Sequence, residues 1–121
     1  MSVMDLKLEL NLNVLGIQED DASWCAIALE MSLMGYGETF EKALEDLYDA
    51  IVTQVTFAVQ HDTLDNIFIP AEPQYFTMYA DAKREALKGK LAHREESLTH
   101  LRVGNIPLPE PRSETFEPVT A

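Results

Sequence analysis

The stretch Met31-Ser-Leu-Met-Gly35-Tyr-Gly37-Glu-Thr39-Phe-Glu-Lys-Ala-Leu-Glu-Asp-Leu-Tyr-Asp-Ala-Ile51 decides the fold. Residues 32–36 read as a short strand, ended by Gly35-Tyr36-Gly37, where glycine permits a positive φ or a close backbone approach. Thr39 is placed to cap a helix, its hydroxyl accepting a first-turn amide. Glu38 and Glu41 put negative charge at the positive end of the helix dipole. Phe40, Leu44, Leu47, Ile51, Val55 and Ala58 then recur at steps of three and four, and Ala43, Tyr48 and Val52 widen the stripe. Glu41, Glu45, Asp46 and Asp49 fall on or near the other side, pointing away from whatever the stripe covers. The spacing predicts a helix over 40–60, about 31 Å long at 1.5 Å rise per residue. Burial of each large stripe residue, worth about 1.5–3 kcal/mol, holds it together. The β-branched run Ile51, Val52, Thr53, Val55 and Thr56 works against it and favours an early end.

The residues before this helix read as sheet for it to cover. Over residues 4–14, Leu6, Leu8, Leu10, Leu12 and Val14 alternate with Lys7, Glu9, Asn11 and Asn13, the period of a half-buried strand. Gly16 and Glu19-Asp20-Asp21 interrupt the alternation and read as a turn. Trp24–Met31 reads as a second strand, in a hairpin with the first. Cys25, Ile27, Leu29 and Met31 are expected to face the core, with Trp24, Ala26, Ala28 and Glu30 on the opposite face. That small-residue face, with Tyr36 beside it, is the candidate partner interface (Trp24, Ala26, Ala28, Glu30, Tyr36) unless the second helix covers it.

The residues after the helix read as an appendage. Residues 61–66 form a polar turn, and Ile67-Phe-Ile-Pro70 is a possible edge strand stopped by its proline. Pro73 suits the first turn of a second helix, predicted over 73–97. Its aromatic first half should dock. Lys83, Arg84, Lys88, Lys90 and Arg94 in the second half form the chain's only basic concentration, a candidate basic contact surface. Glu85, Glu95 and Glu96 are interleaved with them, which favours a solvated helix face over a nucleic-acid contact. Ile106-Pro-Leu-Pro-Glu-Pro111 favours extended backbone. The organisation read from the chain is a sheet-and-helix core over 1–70, an accessory helix over 71–103 packed on the core or on a partner subunit, and an extended or disordered tail over 104–121.

The 121 residues suit about one domain, 46% hydrophobic and 25% charged, an ordinary globular mixture. No apolar run approaches the roughly 20 residues needed to span a membrane. No signal peptide is read at the N-terminus, and a cytoplasmic protein is expected. The net charge is −12 and uneven. Residues 1–70 hold 13 Asp/Glu against 2 Lys/Arg, and residues 71–121 hold 8 against 7. An acidic body disfavours phosphate backbones. It keeps the chain soluble and steers a basic partner.

Residues 23–55, with Gly37-Glu-Thr39-Phe-Glu-Lys-Ala43-Leu44 and Ala50-Ile51 as the closest stretches, resemble the HicB family of antitoxin-like domains. Ile106-Pro-Leu-Pro-Glu-Pro is similar to an Ile/Leu-Pro-x-Pro stretch that often succeeds the helix in that family. The resemblance implies a partial ribonuclease H-like fold, a small antiparallel sheet with a helix against one face. It also implies a non-enzymatic antitoxin that binds a small basic toxin ribonuclease, as a dimer or larger oligomer. Many members add a ribbon-helix-helix or helix-turn-helix module. No such module is evident here, which argues against DNA binding, and an insertion over 61–100 separates the helix from the proline stretch. The alternatives are a stand-alone oligomeric module with no toxin, assembled through sheet edges and the proline arm, or an RNA-binding or RNA-cleaving protein.

Ribonuclease H chemistry needs carboxylates gathered around metal ions. Glu9 and Glu30 could share a sheet face, but Asp46 and Asp49 on the helix point elsewhere, so a solvated acidic face is the expectation. His61, His93 and His100 lack metal-ligand spacing. Cys25 is expected to be a buried inert thiol. No catalytic residue, cofactor or metal is expected. The fold class predicted is α+β, a three- to four-stranded antiparallel sheet under one long helix, plus a second helix and a proline-rich tail.

Overall fold

The computed structural model of the chain describes residues 11–91 and 100–109. Four strands form one antiparallel sheet: β1 (Asn11–Gln18), β2 (Trp24–Ala28), β3 (Leu33–Gly37) and β4 (Leu101–Pro107), in the order β3-β2-β1-β4. Helix α1 (Phe40–Gln60) lies on one face and helix α2 (Pro73–Leu91) on the other. A single 3₁₀ turn, Leu64–Asn66, sits between the helices. The fold is α+β with one long helix on an open sheet, as the periodicities imply.

Helix α1 starts at its cap and runs the full length of its stripe. Thr39 Oγ1 accepts from the Lys42 amide at 3.1 Å. Phe40, Ala43, Leu47, Ile51, Val52, Val55 and Ala58 are buried. The β-branched run does not end the helix early, because Ile51, Val52, Val55 and Thr56 are all buried and packing outweighs propensity.

The sheet is apolar on both faces, and this corrects the reading of β2. Trp24, Ala26 and Ala28 lie beneath α1 with Leu12, Val14, Phe40, Ala43 and Leu47. Cys25, Ile27 and Leu29 belong to a second core with Leu15, closed by Ala71, Tyr75, Met78 and Tyr79. The strand stops at Ala28 rather than Met31. In the turn after it, Met31 rejoins the α1 side and Ser32 takes φ 56°.

Three other expectations change. Gly16 is not a turn but the interior of β1: a Cβ there would meet the Phe40 ring, with Cδ1 at 2.5 Å, so the aromatic lies directly on the backbone. The turn proper is Glu19–Ser23, closed by the Glu19 amide on Ser23 O at 2.7 Å. Residues 67–70 form no strand, although Ile67 is buried. Residues 101–107, divided by the sequence pattern between accessory helix and tail, are β4, paired along β1 from Ile17↔Leu101 to Asn11↔Pro107. The expected strand residues 4–10, the helix beyond 91 and the tail beyond 109 lie outside the described residues.

The two helices are offset from each other across the sheet. Helix α1 packs mainly on β3 and β2, while α2 packs mainly on β4 and β1. Glycine sets the first contact. A Cβ on Gly35 would lie 2.5 Å from Ala43 O and 2.7 Å from Leu47 Cα, and one on Gly37 would lie 2.6 Å from Ala43 N. No glycine takes a positive φ, so close approach is what this pair supplies. The offset leaves the β4 side of the α1 face thinly covered, and on the other face it leaves Met34 and Tyr36 exposed.

Candidate interaction surface

The expected partner interface divides. Trp24 is 8% exposed and Ala26 and Ala28 are fully buried. The long helix, rather than a partner or the second helix, covers them. Glu30 is partly buried, and both its carboxylate oxygens accept from Asn13, from the backbone amide at 2.8 Å and from Nδ2 at 2.7 Å. Tyr79 on α2 donates to Asn13 Oδ1 at 3.1 Å, so the group ties α2 to the sheet. Burial, then the nearby Glu30 charge, pushes the Tyr79 phenol up. Of the five residues, Tyr36 alone stands out from the surface, 60% exposed, its hydroxyl 3.4 Å from Met34 Sδ.

Two of the carboxylates weighed for metal chemistry, Glu30 and Asp46, serve other ends. Asp46 does not point away from the sheet: it accepts the Tyr36 backbone amide at 2.9 Å and so caps an outward N–H of edge strand β3. Glu41 pairs with Arg102 at 3.2 Å. Glu9 lies outside the described residues. Among the described residues no three His, Cys, Asp or Glu side chains gather as a metal would need. Cys25 is buried and forms no disulfide. Burial pushes its thiol up, so the reactive thiolate is disfavoured.

The basic surface on α2 is largely accounted for locally. Arg84 pairs with Asp81 at 2.7 Å and Lys88 with Glu85 at 3.6 Å, both exposed pairs one turn apart. Lys83 Nζ stands 5.8 Å from the Tyr79 ring centroid. The Lys90 side chain and Arg94 lie outside the described residues. No helix among the described residues is long and apolar enough to cross a membrane.

The feature that the sequence pattern does not disclose lies along β4. The Gln18 amide donates to His100 O at 2.8 Å. In an antiparallel ladder this makes Arg102, Gly104 and Ile106 the residues bonded to β1 and turns the backbone amides of Leu101, Val103 and Asn105 outward. Beside that edge run two hollows. One, about 340 Å³, is walled by Phe40, Glu41 and Leu44 of α1, by Ala82 and Ala86 of α2 and by β4 residues 101–103. The other, about 500 Å³, lies between Leu44, Glu45, Tyr48 and Asp49 of α1 and β4 residues 105–107. Arg102 lines the first, its guanidinium 5.4 Å from the Trp24 ring and 5.8 Å from the Phe40 ring. The alternation of Leu101 and Val103 with Arg102 is the available signal, obscured by the prolines beyond it.

Comparison with protein-family models, with curated proteins and with solved structures finds no match for this chain.

Proposed function

We propose that this chain is a non-enzymatic, HicB-like interaction protein, the antitoxin of a toxin–antitoxin pair, that covers a small basic ribonuclease with an acidic surface. The observation that carries the reading is the outer side of α1. Glu41, Glu45 and Asp49 are exposed there with Lys42 as the helix's only base, on a helix that packs on one face of a small antiparallel sheet. That arrangement is the one the family resemblance leads one to expect. Such a surface attracts a basic partner over a distance set by the Debye length, about 8 Å at physiological salt. The engagement of both Glu30 oxygens by Asn13 supports binding over RNA cleavage. A cytoplasmic setting goes with the reading. A second reading, a stand-alone homo-oligomer without a toxin, draws on exposed Met34 and Tyr36 and on the sheet edge at β4.

The test is affinity capture of the tagged full chain from its host's lysate, with mass spectrometry and a solution mass. A stoichiometric small basic protein, released by salt, is the expected result. A clean homo-oligomer with no such protein would overturn the antitoxin reading and favour the second.

A further inference from the structure

We infer that the outer edge of β4 is where a basic partner docks, by adding an extended segment as a fifth strand to this sheet, with lysine or arginine at alternate positions turned toward α1. The inference deepens the interaction reading above and rests on it.

Among the described residues the sheet has two edges, and they differ. At β3, α1 sits down on Gly35 and Gly37, and Asp46 already occupies the Tyr36 amide. At β4, the ladder's alternation turns the Leu101, Val103 and Asn105 amides outward, and the flanking hollows leave room on that side. Pro107 has no N–H to offer and ends the edge there. Strand addition supplies main-chain hydrogen bonds for affinity and alternate side-chain pockets for selectivity.

The walls indicate what the added strand carries. On the α1 side Leu44 and Tyr48 offer apolar surface beneath Glu41 and Glu45, spaced one turn apart. A lysine or arginine there packs its stem on the apolar residues and extends its head to the carboxylates. On the α2 side Ala82 and Ala86 take small apolar side chains. Among the described residues Arg102 is the only basic one lining either hollow, and Glu41 partners it. A second copy fits less well. Two-fold antiparallel pairing of β4 with itself places two acidic rows on the same face across the seam, where like charges repel.

The probe is a blocked peptide of about nine residues alternating lysine and valine, long enough to span β4 at about 3.3 Å per residue. Its glutamate–valine counterpart is the control. The full chain is titrated at low salt, with amide shifts and hydrogen exchange read by NMR. The expected result is saturable binding of the lysine peptide only, with Leu101, Val103 and Asn105 amides protected. Val103→Pro, which removes an outward donor and spares the β1 ladder, should weaken binding about tenfold, the loss of a hydrogen bond plus a steric block. Glu45→Lys should weaken it severalfold, an effect that fades with salt.

Equal binding of both peptides, or protection at Met34 and Tyr36 instead, would overturn the inference. So would outward β4 amides already protected in the monomeric chain, which would assign the edge to this chain's own segments. A dimer dissolved by Val103→Pro would overturn it too, assigning the edge to a second copy. Should that variant fail to fold, the wild-type exchange pattern decides. A basic protein captured equally well by wild type and by folded Val103→Pro would sink this inference and leave the proposed function standing. Peptide binding at β4 with no basic protein captured would do the reverse.

Discussion

Replacing Gly35 by alanine adds one methyl group at the closest approach of helix to sheet. That methyl would meet Leu47 N and lie 2.5 Å from Ala43 O and 2.7 Å from Leu47 Cα. All three atoms are helix backbone, so no side chain can swing aside. To restore ordinary contact near 3.4 Å, α1 must withdraw by about 1 Å, and a gap of that size forfeits a quarter to a half of each dispersion contact along the seam. Overpacking of this kind costs about 1–3 kcal/mol or more, and backbone against backbone belongs at the upper end, about 3 kcal/mol. With a urea dependence of about 1.5 kcal/mol per molar, the midpoint falls by about 2 M. Gly104→Ala is the internal control. Its Cβ would lie 3.6 Å from Phe40 Cζ, an ordinary contact, and its φ is not positive, so its stability should stay within about 0.5 kcal/mol of wild type. Equal midpoints and slopes for Gly35→Ala and wild type, or a larger loss at Gly104, would refute the packing argument.

Removing the Thr39 cap, which accepts the Lys42 amide at 3.1 Å, by Thr39→Ala should cost about 1 kcal/mol in urea unfolding. A control at exposed Thr53 in the helix interior should cost less than half of that. For Tyr79 the sign follows from its raised pKa, caused first by burial and then by Glu30. The folded state holds the phenol proton more tightly, so this contribution is complete below the ordinary value of 10.0 and is lost as pH rises through the folded value. Stability of the wild type should therefore fall more steeply above pH 10.0 than that of Tyr79→Phe, measured by urea midpoints across that range.

The sequence carries the long helix almost completely, because its stripe and its cap are local: Thr39 and Phe40 through Ala58 need no distant partner to be recognised. It misleads at β2 because the sheet has two cores. With Cys25, Ile27 and Leu29 buried on one side and Trp24, Ala26 and Ala28 on the other, no polar face marks the outside, and the larger residues point to the wrong side. Gly16 breaks the alternation of side chains, yet its missing side chain makes room for the Phe40 ring. Strand β4 is legible only in register with β1, which lies at the other end of the chain. The acidic row on α1 is visible as composition. The hollow beside it is not, since it depends on where α1 lies across the sheet.

That placement links stability to the candidate surface. Gly35, Gly37, Ala26 and Ala28 let α1 settle low over β3 and β2. Toward β4 the Phe40 ring is laid over Gly16 and near Gly104, and Leu44, Glu45 and Tyr48 wall the hollow beside the strand. The height at which α1 sits on the small residues of β3 and β2 therefore also sets the wall it presents beside β4. A substitution that lifts α1, such as Gly35→Ala, must alter stability and the β4 cleft together. Val103→Pro changes an outward N–H and leaves the small-residue seat of α1 untouched. Binding lost in the first variant can reflect a displaced wall, whereas binding lost in a stable second variant can only come from the edge itself.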